Sequence, residues 1–155
     1  MDEAFPDCEM RTYKGQKAIL RKKEYHLELR RDEKGGVAAF LAWWELDDFC
    51  FVEHLAVSSG IRGGGLGGRL LDDFLQEHPR VILEVEPPES DIARRRIGFY
   101  ERHGFFLNRY PYEQPPLRKE CGYFPLLLMS SAAPLSEEEF LKVKEELYRT
   151  VYGLN

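Results

Sequence analysis

Apolar residues along this chain change their spacing several times, and each change marks the edge of a structural element. Alternation in YHLELRR, residues 25–31, and the dense apolar run VAAFLAWWEL, residues 37–46, flank a turn at residues 33–36, which predicts a hairpin. Asp47 and Asp48 then reverse the chain into FCFVEHLAV, residues 49–57, a third antiparallel strand. Past residue 65 the period lengthens: Leu66, Leu70, Leu71, Phe74 and Leu75 share one face of a helix that Pro79 ends. VILEVE, residues 81–86, is short and β-rich, so strand, helix and strand in this order predict a parallel pair joined by a right-handed crossover. After Pro87 and Pro88, either Ser90 or Asp91 can cap a helix that runs to Gly104.

FFLNRYPY and YFPLLLMS read as two further strands on either side of the loop 113–122. Ser136 and Glu139 form a capping box at the head of a last helix, with Leu135 and Phe140 placed as its hydrophobic staple and a stripe of Phe140, Val143, Leu147 and Val151. The beginning of the chain, Phe5 to Lys23, reads as one or two short helices broken at Gly15.

Length and charge narrow the possibilities. With 155 residues the chain suits one domain that buries its own core. A formal net charge of −5 argues against a nucleic-acid partner, which needs a basic surface to displace counterions, and favours a neutral or cationic small partner. No apolar run is long enough to cross a bilayer, and MDEAFPDCEM lacks the order of a secretory leader, so a cytoplasmic location without membrane attachment is expected. Cys8, Cys50 and Cys121 have no CxxC spacing, and His26, His78 and His103 have no metal-like spacing, so neither a disulfide framework nor a metal is expected.

The candidate chemistry begins at SSGIRGGGLGGRLL, residues 58–71, where six glycines stand between a strand and a helix. The first turn of a helix has unpaired N–H groups and the positive end of the macrodipole, and glycine lets that backbone touch an anion, so a diphosphate is the natural guest. GGGLGG, residues 63–68, formally contains the GxGxxG of dinucleotide folds, with Glu84 and Glu86 near the distance of a ribose-binding acid. Its context is wrong: five residues separate the loop from its strand, and too little chain remains for the further parallel strands. A P-loop is excluded because no Lys followed by Ser or Thr closes the run.

Read as RxxGxG from Arg62 through Gly65 to Gly67, the loop resembles the pyrophosphate loop of the GNAT acetyltransferases, and IGFYERHGF, residues 97–105, is similar to the FYEKxGF stretch on the family's next helix. The resemblance implies an α/β fold with a central mixed, mostly antiparallel sheet flanked by helices over residues 1–134. The helix at 135–155 would be an addition packed on the same domain. It also implies acetyl-CoA as co-substrate, held by Arg62, Gly63, Gly64, Gly65, Leu66, Gly67 and Gly68, with backbone donors at Leu55, Ala56 and Val57 for the thioester carbonyl. Tyr100 would be the general acid beside the sulfur, and the acceptor a primary amine, small or peptidic, attacking directly in a ternary complex of a monomer or homodimer. Ala93 departs from the Asn that many relatives have seven residues before this tyrosine.

For the general base, strand alternation puts Glu53 and His54 on opposite faces, so at most one faces the acetyl site. Glu53 is preferred, since it shares parity with Phe51, Leu55 and Val57 and a carboxylate also attracts a cationic amine. Glu84 and Glu86 rank behind it. Arg94, Arg95 and Arg96 point three ways on a helix and are expected in solvent, while one of Trp43 and Trp44 is expected in the core and the other along the acceptor pocket. A non-catalytic acyl-CoA sensor with the last helix as its partner surface is the alternative of a different class.

Overall fold

The computed structural model describes residues 13–58, 65–117 and 122–154. Of the opening segment, residues before 13 lie outside the described residues, and one helix, α1, spans Tyr13–Ile19. The alternating and apolar runs become β1 (Tyr25–Arg31), β2 (Val37–Glu45) and β3 (Cys50–Val57), an antiparallel meander. α2 (Leu66–Glu77) crosses over to β4 (Val81–Val85), which lies parallel to β3, and α3 (Asp91–Arg102) leads to β5 (Phe105–Gln114) and β6 (Phe124–Ser131). The resulting six-stranded sheet has the order β1-β2-β3-β4-β6-β5 and is antiparallel except at β3/β4, which is the expected mixed, mostly antiparallel sheet; the place of β6 between β4 and β5 had no signal in the sequence.

Each face of the sheet is covered by its own pair of helices. On one, Leu70, Leu71 and Phe74 of α2 and Ile97 of α3 pack with Leu41, Trp43, Val52 and Leu83. On the other, Ile19 of α1 and Phe140 and Val143 of α4 (Glu137–Glu146) pack with Trp44, Phe51, Ile82 and Leu128. Burying each large apolar side chain in this way stabilises by roughly 1.5–3 kcal/mol. Ser136 caps α4 in a full capping box with Glu139, and the stripe continues through Leu147 and Val151 on a π-helical turn, Leu147–Val151. Both tryptophans are therefore core residues on opposite faces, and the expectation that one lines the acceptor pocket is not met.

Two irregularities place the functional groove. β3 and β4 pair through only Cys50↔Val81, Phe51↔Ile82 and Val52↔Leu83. Beyond these pairs the two strands no longer register, which opens the sheet along one edge of each. The second is a bulge in β3: Ala42 faces His54 and Trp43 faces Val52, so Glu53 has no opposite residue on β2. A bulge adds one residue and breaks the two-residue period. Phe51 consequently packs on the α4 side and Leu55 and Val57 on the α2 and α3 side, which corrects the parity assumed from alternation.

Candidate active site

The parted ends of β3 and β4 form the floor of a groove of about 840 Å³. Its lining includes Glu53, His54, Leu55, Ala56 and Val57 of β3, Gly65 to Gly68, Glu84 and Glu86, Tyr100 of α3, and Gln114 and Tyr152. Of the residues expected to hold the cofactor, Arg62, Gly63 and Gly64 lie outside the described residues. The others are brought together.

Gly65 is the N-cap of α2 and has φ +75°, a left-handed conformation that costs an L side chain roughly 1 kcal/mol or more and glycine nothing. The first helical hydrogen bond runs from Arg69 N–H to Gly65 C=O at 3.0 Å, so the N–H groups of Leu66, Gly67 and Gly68 precede the helical ladder. No acidic residue stands in this turn to compete for them. Gly67 and Gly68 have a different reason to be glycine. A Cβ on Gly67 would lie 3.0 Å from Val57 Cγ2, and one on Gly68 would lie 3.0 Å from the ring of His103. The helix thus sits close against both β3 and α3.

That second contact joins the two sequence motifs in space. His103, the His of FYERHGF, packs on Gly68 and its Nδ1 lies 2.7 Å from Asp72 Oδ1 of α2, while Gly104, at φ +90°, lets the chain leave α3. At the other end Ser90 Oγ accepts from Ala93 N–H at 3.1 Å, and Ala93 itself is buried. The Tyr100 ring packs edge-on to Phe99 and Phe105, with centroids 5.2 and 5.7 Å away. Burial pushes its phenol up to about 12, with Arg96 opposing, so it is a protonated group at neutral pH.

The three arginines of the run are exposed, as expected, and two of them also border the groove. Arg94 bonds Asp91 and the Pro88 carbonyl, but Arg95, Arg96 and, about two turns on, Arg102 all line the groove, Arg96 within 3.8 Å of Glu86. The sequence contained these charges but not the direction of the helix that carries them.

On the α4 side the bulge turns both Glu53 and His54 inward. Glu53 Oε2 lies 3.7 Å from His54 Nε2 and Glu53 Oε1 accepts from Trp44 Nε1 at 3.4 Å. The expectation that at most one of the two faces the site is corrected, since alternation does not survive a bulge. Next to them, Glu84 Oε1 accepts from Gln114 Nε2 at 2.9 Å and from the Tyr152 hydroxyl at 2.7 Å, and Oε2 accepts from the Tyr112 hydroxyl. Burial raises the Glu84 carboxyl above its ordinary value, these hydrogen bonds pull it back, and Glu53 raises it further. Tyr152 is held well above the usual phenol range by burial and by Glu84 and Glu53. Glu84 is thus as close to the groove as the preferred Glu53, whereas Gln114 and Tyr152 had no local signal: each lies just past the end of a recognisable pattern.

The site is thus a parallel strand pair that parts around a groove, with a glycine-capped helix start on one wall. Residues 23–106 match the family model for the acetyltransferase (GNAT) domain. The chain is 32% identical to the Bacillus subtilis (strain 168) protein named "Putative acetyltransferase YjbC", over 98% of this chain and 79% of that one. A solved structure titled "Putative acetyltransferase from GNAT family from Bacteroides thetaiotaomicron" superposes with a TM-score of 0.90 at 32% identity, covering 99% of this chain and 88% of that one. A Bacillus anthracis structure titled as a "putative streptothricin acetyltransferase" and "in complex with acetyl coenzyme A" shares the fold at 15% identity and a TM-score of 0.53, over 74% of this chain and 66% of that one. This chain belongs to the GNAT acetyltransferase family. It is an acetyltransferase whose acetyl donor is acetyl-CoA.

Proposed function

We propose that acetyl-CoA lies along the α2 and α3 wall of the groove, that a primary amine enters from the α4 side, and that the two react directly in the gap between β3 and β4. The observation that carries this reading is the parting of the two strands after Val52 and Leu83, because it joins the two faces of the sheet in one groove. N–H groups of Leu66, Gly67 and Gly68 suit the diphosphate, together with Arg62, Gly63, Gly64 and Gly65, and Arg95 and Arg102 add positive charge on the same wall. Backbone donors at Leu55, Ala56 and Val57 face the thioester. A fixed N–H aimed at the oxygen of a tetrahedral intermediate lowers the barrier by roughly 3 kcal/mol.

The amine nitrogen bonds to the carbonyl carbon and the resulting ammonium gives its proton to Glu53. When the C–S bond breaks, the thiolate takes the proton of Tyr100, and solvent restores both groups. Acetyl-CoA and an amine thus become an amide and CoA thiol. Residues 1–134 and the helix at 135–155 act in this reading as one unit, cytoplasmic, monomeric or homodimeric, with no nucleic-acid partner in view of the net charge of −5. Among the described residues no helix is long and apolar enough to cross a membrane. Thiol release from acetyl-CoA with a panel of amines and peptides tests the reading, alongside calorimetry of acetyl-CoA binding. Saturable binding with no release by any amine would replace it with a non-catalytic sensor.

A further inference from the structure

The charges around the groove are unevenly distributed, with Glu86 paired to Arg96 at its α3 edge. Among the described residues its arginines, Arg95, Arg96 and Arg102, belong to α3, whereas Glu53 and Glu84 carry carboxylates on the α4 side. Glu84 is built in place by donors from distant parts of the chain: Tyr112 and Gln114 of β5 and Tyr152 just past the π-helical turn. Three donors on one carboxylate favour its anionic form against the burial that raises it, because an ionised carboxylate is acceptor-only. The same cage has an opening for a donor. Gln114 is 7% exposed and lines the groove; its Nε2 is committed to Glu84 and Tyr152, and its Oε1 is buried with no hydrogen-bond partner among the described residues. An acceptor atom left in this way is costly unless a ligand N–H reaches it.

The geometry points to Glu84, caged by Tyr112, Gln114 and Tyr152, as an anchor that selects acceptors whose amino group carries no adjacent carboxylate. This rests on the assignment above of the α4 side to the acceptor. An ammonium meets two carboxylates and the Gln114 oxygen there, all of them acceptors. A free α-amino acid would bring its own carboxylate against Glu53 and Glu84, and like charges at short range in a partly buried site repel strongly. The substrate class is therefore alkylamines, polyamines, lysine side chains and peptide N-termini, not free amino acids. Tyr152 is a positioning residue in this scheme, and it gives the C-terminal segment a part in specificity.

Two probes of nearly equal size isolate the carboxylate: norleucinamide and norleucine, titrated by calorimetry into protein saturated with CoA, where no transfer occurs. Norleucinamide should bind at least about tenfold more tightly. In Glu84→Gln the ratio should fall to about threefold or less with the Kd for CoA unchanged, and Tyr152→Phe should weaken norleucinamide alone. Equal binding of the two probes by the unmodified protein, no binding of norleucinamide, or an unchanged ratio in Glu84→Gln would each overturn the proposal. The unmodified ratio decides even if a variant does not fold. Norleucinamide bound but never acetylated would refute the transfer mechanism and leave the anchor standing, while equal acetylation of both probes would do the reverse.

Discussion

The two walls of the groove are built on different principles. The α2 and α3 wall works through backbone: a glycine N-cap, the N–H groups behind it and close helix contacts at Gly67 and Gly68. The α4 wall works through side chains gathered from β3, β4, β5 and the segment after the last helix, none of which means anything until Glu53, Glu84, Gln114 and Tyr152 are adjacent. A backbone device is encoded where it stands, and a side-chain network is encoded everywhere at once. The first suits the diphosphate proposed for that wall, and the second the acceptor proposed for the other.

Separate damage to each wall tests this division. Phe140→Ala removes a buried ring from the α4 side and should destabilise by about 3–5 kcal/mol in denaturant titration. Acetyl-CoA affinity measured well below the transition should hardly change. If it collapses, the walls are not independent. Gly67→Asp adds a side chain 3.0 Å from Val57 Cγ2 and a negative charge at the helix start, so acetyl-CoA affinity should fall about a hundredfold or more by calorimetry. Retained affinity would show that the cradle lies elsewhere.

Tyr100→Phe should lower kcat by about tenfold or more and leave the Kd for acetyl-CoA intact. Because burial raises this phenol to about 12, Tyr100 stays protonated as pH rises through the ordinary phenol range. Turnover should therefore show no loss due to this acid between about pH 8 and about pH 10, and an alkaline limb with an apparent pKa near that of a free phenol would remove Tyr100 from the role. The smallest effect belongs to the cap of α4: Ser136→Ala should cost about 1 kcal/mol of stability. The Glu139 carboxyl is held below its usual range, chiefly by the Ser136 N–H, so what it contributes is present above the ordinary glutamate pKa and lost as pH falls through the lowered one. The stability gap between the protein and Glu139→Gln should close on going from neutral to acid pH, and a gap that stays constant would contradict the capping box.

Much of the architecture was legible in advance because it depends on neighbours in the chain. Alternation in β1, the helical stripe of α2 and the S-x-x-E box at Ser136 each state their own conformation. The failures share a cause. Glu53 and His54 were assigned opposite faces, and Leu55 and Val57 the face of Phe51, by a two-residue period that the bulge interrupts. Arg95 and Arg96 are exposed as expected, but no residue near them indicates that α3 brings them to the rim of the groove.

What the sequence by itself determined is the set of elements, their order, the glycine cap at Gly65 and, through RxxGxG and FYERHGF, the family. Only the tertiary structure decided that β3 and β4 separate after Val52 and Leu83, that Glu53 and His54 turn to the same side, and that Tyr152 reaches Glu84 across 68 residues of chain. The physical reason is range. Period, capping and turn chemistry act over a few residues, whereas a strand separation or a caged carboxylate depends on which distant groups the packed core brings within a hydrogen bond of each other.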